Sequence, residues 1–254
     1  MVAGRVDGVT RGPDETRFLA DPRIERVSTP EQVANILRRN ILDGVLRPGM
    51  PVPEQQVASE LGVSRNSVRE ATRMLTPEGL LQHHMHRGVI VTEVGPEDVA
   101  GIYQIRTIVE GAAVEAAVGL EAAAFEALAK AAAGMRKAAE EENEQAALDN
   151  DMAFHHAFVG LLGNRRMQGF HAGLQAELRL GMWLVTKVLD DLDQLASEHE
   201  QLLRLLVEGR RKDALGAVEH HMDDARTRLT TLLRDPERRA TGPPDRFRRT
   251  DEGG

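Results

Sequence analysis

Asp151 and His155 stand four residues apart in Asp151-Met152-Ala153-Phe154-His155. A helix there places a carboxylate and an imidazole on one face. His199 follows Ser197-Glu198, and His221 lies within Ala217-Val218-Glu219-His220-His221-Met222. Neutral imidazole nitrogens and a carboxylate suit a divalent transition metal of intermediate softness, such as Zn²⁺ or Ni²⁺. Spacing alone does not gather them: only Asp151 and His155 are linked geometrically, and any one of the histidines is also accounted for as a surface or hydrogen-bonded core residue. A second set of residues points to nucleic acid. Arg65, Arg69 and Arg73 recur at i, i+4 and i+8, so three guanidiniums share one helical face. Arginine can pair bidentately with guanine O6 and N7 in a major groove. Three arginines alone describe a solvated charged helix; the residues around them change that reading.

Gly62 supplies a tight turn and Ser64 a capping hydroxyl ahead of Arg65, while Val68, Thr72 and Leu75 lie nearer the opposite face and can pack on a core. Upstream, Thr29-Pro30-Glu31 reads as a helix start with a capping hydroxyl, and Val33, Ile36, Leu37, Ile41 and Leu42 form its apolar stripe up to Asp43-Gly44. A second short helix begins at Pro53-Glu54-Gln55-Gln56. After the arginine helix, Leu80-Leu81 and Val89-Ile90-Val91 have strand character, with His83-His84-Met85-His86-Arg87-Gly88 as a basic turn between them. The sum is a winged helix-turn-helix.

The segment Ile41-Leu42-Asp43-Gly44-Val45-Leu46-Arg47-Pro48-Gly49, then GVSRNSVREATRMLTPEGLL, then His86-Arg87-Gly88, resembles the GntR family of bacterial transcription regulators over roughly residues 29–95. The resemblance implies DNA contacts by Arg65, Ser67, Arg69, Arg73, Arg87 and Gly88, with Arg87-Gly88 as the wing tip in the minor groove. Arg73, one turn further along, is placed to reach only phosphate. Asn66 stands where many members have Thr, and Ser67 where many have Pro. Gln55 sits where some carry a further DNA-contacting arginine, which weakens any reading of the operator sequence.

The chain has 254 residues, room for two modest domains. It has no cysteine, which excludes a disulfide framework, thiolate ligands and a cysteine nucleophile. The absence of an 18-residue apolar run and of a basic-then-apolar N-terminal pattern gives the expectation of a soluble cytoplasmic protein that does not engage a membrane. Aromatic residues make up 3 %, favouring helices over a β-sandwich. The net charge is −8, yet attraction to phosphate depends on local charge. Within 29–95, seven arginines and no lysine stand against seven Asp or Glu, so a DNA face must arise by gathering Arg65, Arg69, Arg73 and Arg87 on one side. Modest non-specific affinity and reliance on a dimer follow. Residues 1–28 and 235–254 read as disordered tails.

From 96 to 234 the pattern is helix after helix, near 96–119, 121–143, 145–163, 165–188, 191–208 and 210–234. The fold expected is therefore mainly α: a winged helix-turn-helix with a small β-wing, followed by an all-helical bundle of about six helices. Asp151-Met152-Ala153-Phe154-His155, Gly163-Asn164, Glu198-His199 and His221-Met222 resemble the C-terminal, FCD-type ligand-binding domain of the FadR subfamily of GntR regulators. That resemblance implies one metal held by Asp151, His155, His199 and His221, with His156, His171 and His220 outside the ligand set. Arg106 and Glu110 match the subfamily's R-x-x-x-E pattern. Two readings stand for them: an intrahelical i, i+4 ion pair, or a role for Arg106 as a carboxylate clamp over the metal. Met182, Trp183 and Leu184 are candidates for shaping a pocket or for core packing.

These readings converge on a homodimeric repressor binding two-fold related operator half-sites, with a small organic acid as effector at the metal. The alternatives are a metal sensor, a purely structural metal, and a metal-dependent hydrolase. No H-E-x-x-H motif supports the last, and a winged helix would serve no purpose in it.

Overall fold

The computed structural model describes residues 28–85, 87–184 and 191–235. Helix α1 (Thr29–Leu42) is opened by Ser28, whose hydroxyl accepts from the Glu31 amide while the Glu31 carboxylate accepts from the Ser28 amide at 2.7 Å. The cap lies one residue before the expected Thr29, where Ser28 and Glu31 close the reciprocal pair. Val33, Ala34, Leu37 and Ile41 bury the inner face. Helix α2 (Glu54–Leu61) ends at Gly62, which takes the left-handed conformation (φ 65°) that a Cβ disfavours. Ser64 then caps α3 (Arg65–Leu75) by accepting from the Ser67 amide at 3.1 Å. Val68, Ala71, Thr72 and Leu75 are buried, so the arginine face turns outward.

Strands β1 (Leu81–His84) and β2 (Gly88–Val91) pair antiparallel, from Leu81 opposite Val91 to His84 opposite Gly88. His83 and His84 thus belong to a strand rather than to the turn expected from their polarity, since the backbone ladder rather than the apolar pattern sets the strand's length. His86, expected in the turn between the strands, lies outside the described residues.

The rest is helical: α4 (Pro96–Ala117), α5 (Glu126–Glu140), α6 (Glu144–Gly160), α7 (Arg165–Met182), α8 (Leu192–Val207) and α9 (Arg211–Arg234). The helix expected over 121–143 is divided, its start being a 3₁₀ turn at Ala122–Phe125 anchored by buried Phe125. The helix expected over 165–188 ends at Met182, and residues 185–190 lie outside the described ones, as do both proposed tails except Ser28 and Asp235. Helix α4 runs against α9, α6 and α7, and α5 against α6 and α8. Phe154 and Phe158 are wholly buried between these layers, each stabilising the fold by about 1.5–3 kcal/mol. They also fix the rotation of α6, and with it the direction of Asp151 and His155. No helix among the described residues is long and apolar enough to cross a membrane.

Candidate metal centre and nucleic-acid face

Three helices bring the four expected ligands together. Asp151 and His155 come from α6, His199 from α8 beside buried Leu195, Ala196 and Leu202, and His221 from α9 beside buried Val218 and Met222. One donor atom from each lies within 4.8 Å of every other. His155 Nε2 is 3.3 Å from Nε2 of both His199 and His221. Asp151 Oδ1 is 3.1 Å from His199 Nε2 and 3.6 Å from His155 Nε2. Two nitrogens bound to zinc at a tetrahedral angle stand roughly 3.4 Å apart. The Phe154 ring meets the His199 ring edge-on at 4.8 Å and holds its orientation.

The outer nitrogens explain why the inner ones converge. His155 Nδ1 lies 2.6 Å from Glu110 Oε2, His199 Nδ1 2.8 Å from the Leu195 carbonyl, and His221 Nδ1 3.0 Å from Glu198 Oε2. A carbonyl and two ionised carboxylates can only accept, so each Nδ1 carries the hydrogen. In the neutral rings all three Nε2 atoms then present lone pairs to one point. Lone pairs crowded in this way repel one another unless a cation or a proton lies between them.

The electrostatics agree. Burial opposes charge on Glu110, but His155 and Arg106 outweigh it and hold the carboxyl well below its ordinary range. Burial is likewise outweighed at Asp151, by His155 and His199, which keep it ionised. The hydrogen bond from His221 brings Glu198 down to about 2. Burial pushes His221 down to about 4, into its neutral, ligating form. At His155 burial resists protonation, yet Glu110 and then Asp151 raise it overall. Arg106 offsets Glu110, which leaves the carboxylates of Asp151 and Glu198 around the three rings. A divalent cation matches that remainder, and the donor set fits one.

Arg106 makes the ion pair of its motif and keeps a further buried donor. Its Nε donates to Glu110 Oε1 at 2.9 Å, an i, i+4 pair that is buried rather than solvated. Its Nη2 is buried without a hydrogen-bond partner among the described residues. Arg106 lines a small open cleft together with Tyr103, Asp151, Gln194, His221 and Arg228. Burial pushes the Tyr103 phenol up to about 12, so it stays a neutral hydroxyl. Met182 also lines the cleft, whereas Leu184 packs on the core and Trp183 turns toward the N-terminal domain. His156 and His220 are exposed. His171 is buried with Nε2 3.1 Å from Glu110 Oε1, a contact hidden in the sequence because it spans 61 positions. Glu110 and Glu198 thus orient His155 and His221.

On the N-terminal domain, Arg65, Arg69, Arg73, Arg87 and Gly88 are exposed and Ser67 is half-buried. Ser67 is engaged in the helix cap, its hydroxyl 2.9 Å from that of Ser64. Arg73 Nη1 pairs with Glu70 at 2.8 Å. Arg69 meets Glu54, at the start of α2, through Nε (3.2 Å) and Nη2 (3.0 Å), which lowers the Glu54 carboxyl. The Arg69 side chain remains about half exposed (48 %) beside this pair.

Residues 29–91 match the family described as bacterial regulatory proteins, gntR family, and residues 101–224 match the FCD domain. The chain is 27 % identical over 200 residues to the probable D-xylose utilization operon transcriptional repressor of Paenarthrobacter nicotinovorans, covering 79 % of this chain and 88 % of the relative. It is 22 % identical over 225 residues to the gluconate operon transcriptional repressor of Bacillus subtilis (strain 168), covering 86 % and 92 %. A crystal structure assigned to a GntR transcriptional regulator of Rhodococcus sp. RHA1 superposes with a TM-score of 0.69 at 28 % identity, over 80 % of this chain and 97 % of that one. E. coli McbR/YncC shares the fold, with a TM-score of 0.66 at 22 % identity, over 81 % and 99 %.

Proposed function

The chain belongs to the GntR family of bacterial regulators, with an FCD-type C-terminal domain, and from that premise we propose that it is a homodimeric repressor whose operator affinity is set by a small carboxylate bound at a metal centre. Family membership makes it a DNA-binding transcription regulator rather than an enzyme. One observation carries the finer reading: three imidazole lone pairs and Asp151 converge on one point, beside the buried and unpartnered Nη2 of Arg106. A divalent ion held by Asp151, His155, His199 and His221 offers further coordination positions to carboxylate oxygens. Arg106, fixed through Nε by Glu110, then donates Nη2 to the same carboxylate and offsets its charge. Leu148, Leu195 and Leu229 exclude water from the apolar wall of the cleft.

On DNA, Arg65 and Arg69 serve the major groove, Arg73 reaches phosphate, the helix start at Ser67 sits against the backbone, and Arg87-Gly88 forms the wing tip. Self-association is supported by the outer face of α4, where Ile105 and Ile108 are exposed, Ile108 by 74 %. A two-fold dimer presents two such heads to half-sites related by the same axis. Effector and DNA must then weaken each other by one factor. Repression as the sign of regulation rests on the similar repressors named above. Elemental analysis of dialysed protein tests the centre: one transition-metal ion per chain is expected, and none in His155→Ala. Metal content unchanged in that variant would remove His155 from the ligand set.

A further inference from the structure

The last four carbonyls of a helix have no partner inside it. At the end of α1, in the DNA-binding domain, the Leu42 carbonyl is one of these, and it is taken up by α7 of the other domain. Arg179 Nε donates to it at 2.9 Å and the Trp183 indole N–H at 3.2 Å. The Trp183 ring lies flat against Gly44, where a Cβ would come within 2.9 Å of three ring atoms. The same guanidinium reaches in the opposite direction. Its Nη1 donates to Asp149 Oδ1 at 2.5 Å and touches the Met152 sulfur at 3.6 Å, both on α6. One turn earlier on α7, Gln175 Nε2 donates to the Met152 carbonyl at 2.9 Å.

Asp149 and Met152 flank Asp151. The cleft beside Arg106 is lined by Leu148 and Asp151 of α6 and by Met182 of α7. Each of these three neighbours, along the chain, a residue of the junction: Asp149, Met152 and Trp183. Whatever fills the cleft therefore touches both α7, which meets the DNA-binding domain through Arg179 and Trp183, and α6, on which Arg179 is braced. A guanidinium is a planar fork of fixed geometry, so it cannot follow two partners that move apart. A small shift of α6 against α7 makes it release one of them.

From this geometry we infer that Arg179, assisted by Trp183, is the positioning residue that couples the metal centre to the DNA-binding domain, by holding the Leu42 carbonyl and Asp149 with one side chain. The inference rests on the reading above of Asp151, His155, His199 and His221 as a metal centre. Asp149 is half-exposed, so Asp149→Ala frees the guanidinium from α6 without opening the core; Arg179→Lys and Trp183→Phe loosen the Leu42 end.

The test uses the full chain and a duplex selected by it from a random-sequence pool. Affinity is measured for metal-free and Zn²⁺-loaded protein, with metal content and melting temperature recorded for every variant. Wild type is expected to show a ratio between the two affinities in the roughly 5- to 150-fold range of such couplings. In Asp149→Ala and Arg179→Lys the ratio should fall to within twofold of unity, with zinc still bound one per chain. Hydrogen exchange at the end of α1 should respond to zinc in wild type and not in the variants. A wild-type ratio retained by both variants overturns the coupling role and leaves the metal-responsive reading standing. A wild-type ratio of unity overturns the coupling of the metal centre to DNA affinity, and the carboxylate reading is then decided separately by acid titration of the zinc-loaded protein.

Discussion

Glu110 Oε2 lies 2.6 Å from Nδ1 of His155, while its Oε1 accepts from Arg106 and faces His171. One fully buried carboxylate therefore fixes a metal-ligand candidate and the effector-facing arginine together. Its own ionisation is maintained by the groups it orients.

Replacing Glu110 should disturb both. In Glu110→Gln the neutral amide no longer polarises His155, and loss of such an outer partner lowers metal affinity by roughly 10- to 100-fold. Arg106 is left as a buried charge without its counter-ion, at a cost of about 3–5 kcal/mol. Chelator competition reads the first effect and urea denaturation the second. Zinc affinity equal to wild type would remove Glu110 from its orienting role.

Metal loading should compete with protons. In the metal-free protein burial opposes charge on His155, but Glu110 and Asp151 overcome it, so this ring holds its proton above the ordinary histidine range. Ligation needs the neutral ring. Zinc affinity is accordingly lowest in acid, rises with pH through the raised value, and levels off above it. Calorimetry in buffers of different ionisation enthalpy should register a proton released on binding. An affinity flat between about pH 6 and 8 would contradict this.

Arg106→Met should separate the acid from the metal. The four ligand candidates are untouched, so zinc remains bound, while the buried Nη2 that lacks a partner among the described residues is gone. A hydrogen bond to a charged group contributes about 1.5–3 kcal/mol, so affinity for a carboxylate should fall by about tenfold or more. Titration of zinc-loaded protein with the active acid checks it; undiminished affinity would leave Arg106 as a structural ion pair.

Arg69→Ala should cost about 1–3 kcal/mol on a selected duplex and relax preference at one base position. Loss that is uniform across all sequences would make Arg69 a phosphate contact instead. Binding-site selection with the variant distinguishes the two.

Gly44→Ala should destabilise the junction of the two domains. Gly44 has φ 72°, where an L side chain costs about 1–2 kcal/mol, and the new methyl would press on the Trp183 ring. A urea midpoint unchanged from wild type would mean that the ring does not hold this seat in solution.

Much of this was legible in the sequence because it is local. The turn at Gly62, the cap at Ser64 and the outward arginines of α3 follow from spacing within a dozen residues. The same holds for Asp151 and His155 on one face of α6. That His199 and His221 join them came from family resemblance, since no rule of spacing links three helices. The supporting partners were not legible at all. Glu54 meets Arg69 across 15 positions, Glu110 meets His155 across 45, and Trp183 meets Leu42 across 141. Each contact depends on how separate elements pack, α2 on α3, α4 on α6 and α7 on the end of α1, which no local pattern specifies. Arg106 was ambiguous for the opposite reason: its local partner was visible, and the buried free donor was not.

The most direct measurement is fluorescence-anisotropy binding to DNA from upstream of the protein's own gene, against a shuffled duplex, with metal-free and zinc-loaded protein and a panel of small carboxylic acids. The account predicts preferential binding that one acid weakens in the zinc-loaded protein, with the response lost in Arg106→Met and in metal-free protein. Preferential binding indifferent to every acid would contradict it, and would leave a DNA-binding regulator whose helical domain uses the His/Asp centre for something other than carboxylate sensing.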